Sequence, residues 1–208
     1  MAVKPLVGLL GGSFDPVHKA HVALAQAACE TLRLERVDLI PAGRPWQRGQ
    51  LGASPEHRLR MLQLACRHDP RLRINPVELY RPGATYTIDT LMALPKTAHY
   101  VWILGADQLA NFCTWHRWRD ILGHVRLAVA QRPGATLTPP AELAAALDPG
   151  GLAHIPFPPL DISASSIRQA LAHGHATDRA LDPDVLNYIH AHHLYQPQDA
   201  SQGPTHAP

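Results

Sequence analysis

Charge of either sign is in short surplus in this 208-residue chain: 19 lysines and arginines face 17 aspartates and glutamates, leaving +2 at pH 7 with histidine neutral. So small an excess makes no general field for polyanions, which disfavours a nucleic-acid partner unless basic residues cluster locally. Cysteine is scarcer still. Cys29, Cys66 and Cys113 are odd in number, far apart and form no CxxC pair. This suits reduced thiols in the cytoplasm better than a disulfide framework. Long apolar runs are missing too. The stretch after Met-Ala-Val-Lys-Pro ends at Gly11, too short for a signal-peptide core or a membrane span. The expectation is a soluble, cytoplasmic protein with no membrane partner. There is no internal repeat. The glycines near the N-terminus match neither G-x-G-x-x-G nor G-x-x-x-x-G-K-S/T, so a hydride-transfer dinucleotide site and a P-loop are poor readings. What is present is a 46% hydrophobic composition, enough for a real core in one domain.

Short apolar runs at 6–10, 37–40, 100–104 and 125–130 read as buried strands, with a weaker one at 72–74 continuing through 77–79. Helical patterns lie between them at 21–32, 55–66, 87–94 and 115–122. Ser54 is placed to cap the second, with Pro55 at its first position. Strands alternating with helices predict βαβ units and an α/β fold built on a parallel sheet with flanking helices. The Pro-, Gly- and Ala-rich stretch 133–159 predicts one short helix, 141–147, between loops. Helices at 165–172, closed by Gly174, and at 183–192 make a small C-terminal helical part. Residues 1–195 are expected as one domain with 160–195 as that helical part. Residues 196–208 lack apolar side chains to bury and are expected to be disordered.

The N-terminal strand stops at Gly11-Gly12-Ser13, and His18 and His21 follow where a helix should start. Glycine lets the backbone approach an anion, and a first helical turn offers free N–H groups and the positive end of a dipole. Histidines three residues apart share one helix face. Their imidazoles can donate to phosphate oxygens and, when protonated, offset developing charge. The competing readings are a solvated surface pair and a partial metal site. Zinc is the weaker of these, since no Cys or Glu ligand stands at a recognised spacing.

The stretch Gly11-Gly-Ser-Phe-Asp-Pro-Val-His-Lys-Ala-His21 resembles the signature of the nucleotidylyltransferase superfamily that carries an (H/T)-x-G-H motif. More narrowly, it is similar to that of the bacterial nicotinate-nucleotide adenylyltransferases. Further blocks match in order: Tyr86-Thr-Ile-Asp-Thr-Leu91, Leu104-Gly-Ala-Asp-Gln-Leu109, Thr114-Trp115, Arg132-Pro-Gly134 and Ile162-Ser-Ala-Ser-Ser-Ile-Arg168. The likeness runs from about Val7 to Tyr195, and the ordered set is far more specific than any single block.

The resemblance implies a Rossmann-like fold and adenylyl transfer from ATP to nicotinate mononucleotide, giving nicotinate adenine dinucleotide and pyrophosphate, with Mg²⁺ accompanying ATP and no protein-built metal site. It implies His18 and His21 as the catalytic pair, with the Ser13–Phe14 backbone as further donors, and Gly12, Ser13 and Phe14 as ATP-binding. ATP falls to Gly105 and Asp107 near the ribose, to Ser165, Ser166 and Arg168 at the triphosphate, and to the backbone around Ile167 at adenine. The mononucleotide falls to Trp115 stacking on the pyridinium, to backbone N–H groups near Thr85 and Tyr86 for its carboxylate, and to Arg132 and Arg48. Arg44 and Arg48 lie in a loop, 41–52, that resembles the family's mobile substrate loop. Asp15 is placed to orient the turn or a metal-bound water, with helix capping as an equal and plainer role; capping is also the plainer role for Asp107. A cap with a surface arginine is the plainer role for the Ser165–Arg168 block.

Three positions depart from the pattern. Ala20 replaces the Gly of H-x-G-H, Trp46-Gln47-Arg48 stands where a P-P-H-K/R segment is expected, and Thr85 fills the serine position of S-Y-T. The alternatives are the same chemistry on another acceptor, such as nicotinamide mononucleotide, or a non-catalytic nucleotide sensor. His173, His175, His190, His192 and His193 match no zinc spacing and read as solvated.

Overall fold

The computed structural model describes residues 4–45, 51–131, 134, 136–158 and 160–196. Six strands form one sheet: β1 Leu6–Gly12, β2 Arg36–Pro41, β3 Leu72–Ile74, β4 His99–Leu104, β5 Arg126–Gln131 and β6 Leu152–Pro156. Every pairing is parallel, in the order β3-β2-β1-β4-β5-β6. This is the Rossmann-like arrangement, with its crevice between β1 and β4, where the chain reverses its direction of travel across the sheet.

Alternation along the strands separates two cores. Leu10, Val37, Leu39, Val101 and Ile103 face one layer. It is covered by α1 Lys19–Leu32, α2 Pro55–Cys66, α7 Ala164–Ala172 and α8 Pro183–Ala191. Val7, Leu9, Trp102, Leu104 and Leu127 face the other. That face is covered by α3 Thr87–Ala93, α4 Ala106–Ala110, the 3₁₀ turn Phe112–Thr114, α5 Trp118–Leu122 and α6 Ala141–Ala146. Burial on both faces makes the strands read as near-continuous apolar runs. Among the described residues no helix is long and apolar enough to cross a membrane.

Three sequence expectations change. Residues 77–79 form a turn, not a strand extension. Trp115 is not helical: it follows the 3₁₀ turn in extended backbone, and α5 starts three residues later, after Arg117 at φ 54. The 133–159 stretch contains a strand, β6, as well as its helix. An edge strand needs few apolar residues, and of β6 only Ile155 is fully buried; Pro156 ends it, a position an edge tolerates. The expected disordered tail beyond Gln196 lies outside the described residues.

Candidate active site

Gly11 and Gly12 end β1 at the crevice. A Cβ on Gly11 would stand 2.8 Å from the Trp102 ring, and one on Gly12 would stand 3.2 Å from the Phe14 ring. Close approach therefore demands glycine at Gly11, while a side chain at Gly12 would need the Phe14 ring to give by a few tenths of an ångström. Phe14 itself lies in the left-handed region, φ 47, and buries its ring in the core. What it can offer a site is therefore its backbone.

Asp15 does not cap α1. It is 1% exposed, and its carboxylate accepts from the amides of Gly52 at 2.7 Å and Ala53 at 3.0 Å and from the Tyr195 hydroxyl at 2.8 Å. Behind the turn lies Arg58, also 1% exposed. It donates to the carbonyls of Ser13 and Ala42, each at 2.7 Å, and of Gly43 at 3.4 Å. The sequence reading makes Asp15 a candidate helix cap and passes over Arg58. A signal existed for Arg58: it shares an apolar helix stripe with Met61 and Leu62, where a charge demands partners.

His18 occupies the N-cap of α1 in extended backbone. Its amide donates to Nδ1 of His21 at 3.2 Å, and the two rings stack with centroids 3.6 Å apart. Because Nδ1 of His21 accepts, Nε2 carries the ring proton and is a donor. Phe14 holds the His21 ring edge-on at 4.9 Å. His18 is buried, which removes the solvated-pair reading, and burial drives its pKa down from 6.5 to about 4. It is therefore neutral at neutral pH and offsets no charge as an imidazolium. Ala20, inside the first turn, is half-buried.

The His18 shift has a consequence for stability. Between about pH 6.5 and 4 the unfolded chain binds a proton at His18 and the folded chain does not, so stability falls as pH falls through that window. From the value of about 4, the loss is on the order of 3 kcal/mol. Urea unfolding of His18→Gln is expected to show a correspondingly shallower decline from pH 7 to 4.5 than the parent. Equal declines would refute this.

A cleft of about 350 Å³ opens at the carboxyl ends of β1 and β4, where Gly12, Ser13, His21, Thr85, Gly105 and Trp115 meet. His18 instead lines a separate, smaller cavity of about 260 Å³, with Val17, Val22, Gln26, Asp182 and Val185. Trp115 is half-buried. It packs on Phe112 at 5.1 Å and meets Trp102 edge-on at 6.2 Å. Its Nε1 is buried without a hydrogen-bond partner. Trp118 lies in the core. Thr85 is committed elsewhere: its amide donates to the Arg44 carbonyl at 3.1 Å and its hydroxyl accepts from the Arg44 amide at 2.9 Å. Of the two amides expected to face a carboxylate, that leaves Tyr86, the N-cap of α3, whose ring lies 4.5 Å from His116. Glu78, unforeseen in sequence, also lines the cleft; burial raises its pKa.

Asp107 is exposed inside the first turn of α4, whose N-cap is Gly105, so it caps nothing; Gln108 is the α4 residue that lines the cleft. In α7 the cap is Ser163, which accepts from the Ser166 amide at 3.1 Å, while the Ser166 hydroxyl donates to the Ser163 carbonyl at 2.9 Å. Ile167 buries its side chain and commits its amide to Ser163 at 3.0 Å. The backbone contact expected there must come from the first-turn amides, which have no intrahelical acceptor. Arg168 is no loose surface residue. Its guanidinium donates to the Asp15 carbonyl at 2.7 Å and reaches the Ser165 hydroxyl at 3.3 Å. Arg48 and Arg132 lie outside the described residues. Among those described, no group of three or more His, Cys, Asp or Glu is placed to hold a metal ion, and both oxygens of Asp15 are engaged.

Residues 9–170 match the model of the cytidylyltransferase-like family. The chain is 60% identical over 192 residues to a protein of Bordetella petrii named as a probable nicotinate-nucleotide adenylyltransferase, covering 91% of this chain and 98% of that one. A relative of the same name from Roseiflexus sp. is 42% identical over 195 residues, with 91% and 98% covered. Among solved structures, the chain superposes on Plasmodium falciparum nicotinic acid mononucleotide adenylyltransferase complexed with NaAD. The TM-score is 0.74 at 16% identity, over 92% of this chain and 97% of that chain; at that identity the likeness concerns the fold.

Proposed function

Because the chain belongs to the nicotinate-nucleotide adenylyltransferases of the cytidylyltransferase-like family, we propose that it transfers the adenylyl group of ATP to nicotinate mononucleotide, a step of NAD biosynthesis. The mononucleotide phosphate attacks the α-phosphorus in line. A new P–O bond forms as the bond to the β-phosphate bridge breaks, and pyrophosphate leaves. No covalent enzyme intermediate is needed, so positioning and charge stabilisation carry the catalysis. Mg²⁺ accompanying ATP would be held by phosphate oxygens and water and would offset charge on the triphosphate.

The observation that carries this reading is the contact between Arg168 and the Asp15 carbonyl at 2.7 Å. It brings the Ser165–Arg168 block of α7 onto the turn that bears His21, from 153 residues away in sequence. The contact supports a site in which phosphate donors from both ends of the chain converge beside the cleft. In this reading His21 Nε2–H and the Ser13 amide meet the reacting phosphate, Arg168 and Ser165 hold the triphosphate, and Trp115 stacks on the pyridinium with the Tyr86 amide near its carboxylate.

The test is pyrophosphate release with ATP, Mg²⁺ and either mononucleotide. Faster turnover with nicotinate than with nicotinamide mononucleotide is expected. A preference for the amide overturns the acceptor assignment. ATP binding without turnover on either acceptor makes the chain a sensor.

A further inference from the structure

After α8 the chain folds back through two non-glycine residues in the left-handed region, His193 at φ 50 and Tyr195 at φ 62, a conformation that costs energy and needs compensation. The return brings the Tyr195 hydroxyl to Asp15, donating to Oδ1 at 2.8 Å. The Tyr195 ring lies against Gly52, where even a Cβ would stand 3.0 Å from it. Burial and the neighbouring carboxylate both raise the Tyr195 pKa, so the hydroxyl stays a donor at working pH.

The same carboxylate stands beside Arg168. Nη1 of Arg168 donates to the Asp15 carbonyl at 2.7 Å but is 3.9 Å from Oδ2, short of a hydrogen bond. Asp15 instead accepts from neutral donors: the Ala53 amide and the Tyr195 hydroxyl at Oδ1 and the Gly52 amide at Oδ2. Hydrogen bonds to an ionised group are among the stronger ones, and removing one leaves a buried charge in search of a partner. The nearest cationic candidate is Arg168.

We propose that Tyr195 is a positioning residue for nucleotide binding: by donating to the Asp15 carboxylate it offsets part of that charge, which weakens its pull on the Arg168 guanidinium and leaves Arg168 available to polyphosphate. The inference rests on the adenylyl-transfer reading for Arg168. It makes the segment after α8, far from the motif blocks, part of what tunes the ATP site.

The experiment compares the full-length parent with Tyr195→Phe, which keeps the ring on Gly52, and with Tyr195→Phe/Asp15→Asn, which removes the charge that would capture Arg168. Thermal melting, ATP affinity by calorimetry and the two KM values are measured. Tyr195→Phe is expected to stay folded at assay temperature, to bind ATP at least about 10-fold more weakly, and to leave KM for the mononucleotide within about 2-fold. The double variant is expected to regain ATP affinity over Tyr195→Phe. Unchanged ATP affinity overturns the proposal, as does a parallel rise in both KM values. Failure of Tyr195→Phe to fold, or a double variant binding no better than the single, overturns it too. Because ATP affinity is read directly, a parent that binds ATP without turning over refutes the reaction and still judges Tyr195.

Discussion

Replacing His21 by alanine lowers turnover at least ~100-fold, the scale seen when one preorganised donor to a developing oxyanion is lost, with a smaller change in KM for either substrate. The asymmetry follows from geometry. His21 is held from three sides, by the His18 amide on Nδ1, by the stacked His18 ring and by the edge of Phe14. Those contacts fix its tautomer and ring plane before substrate arrives, so its Nε2–H costs no reorganisation during reaction. A donor of that kind acts on the charge that grows in the transition state more than on the ground state. Steady-state kinetics in pyrophosphate release read both quantities. Near-normal turnover in His21→Ala would remove this residue from the mechanism and shift the burden to the Ser13 backbone and Arg168.

The Arg58→Ala variant is expected to lose on the order of 3 kcal/mol or more of stability, as when a buried charge is taken from its hydrogen-bonded partners, and most of its turnover as well. Arg58 holds the carbonyls of Ser13, Ala42 and Gly43, which fastens the turn after β1 to the loop after β2. Without the guanidinium, three acceptors lose their donor, and the shortened side chain leaves a cavity among Met61 and Leu62. For a chain of this length the loss corresponds to a fall in melting temperature of roughly 6–12 °C. Thermal melting checks the first half and turnover well below the melting point checks the second. A variant melting within a degree or two of the parent would show that the turn needs no such support.

Local patterns were strong enough to carry the strands, most helices and the turn. Val7, Leu9, Trp102 and Leu104 lie on strands buried from both sides, which leaves a run of apolar residues that survives without tertiary context. Ser54 and Pro55 start α2 as their residue types demand. β6 failed this test because an edge strand with a single fully buried residue leaves hardly any hydrophobic imprint. Trp115 was drawn into a helix because the left-handed Arg117, which delays α5, is invisible in composition.

By itself the sequence determined the parallel α/β layering, the glycine stop after β1, the pairing of His18 with His21 and the family to which the blocks belong. Each of these rests on residues close in the chain, where periodicity, turn chemistry and spacing act directly. Tertiary structure alone decided that His18 is buried and neutral, that the Thr85 amide is taken, and that Asp15 is a hub rather than a cap. It alone decided that Arg58, Arg168 and Tyr195 converge on the turn after β1. Those outcomes depend on which donor and acceptor lose water together when distant segments pack, and a hydrogen bond between residues 15 and 195 leaves no mark on the neighbours of either.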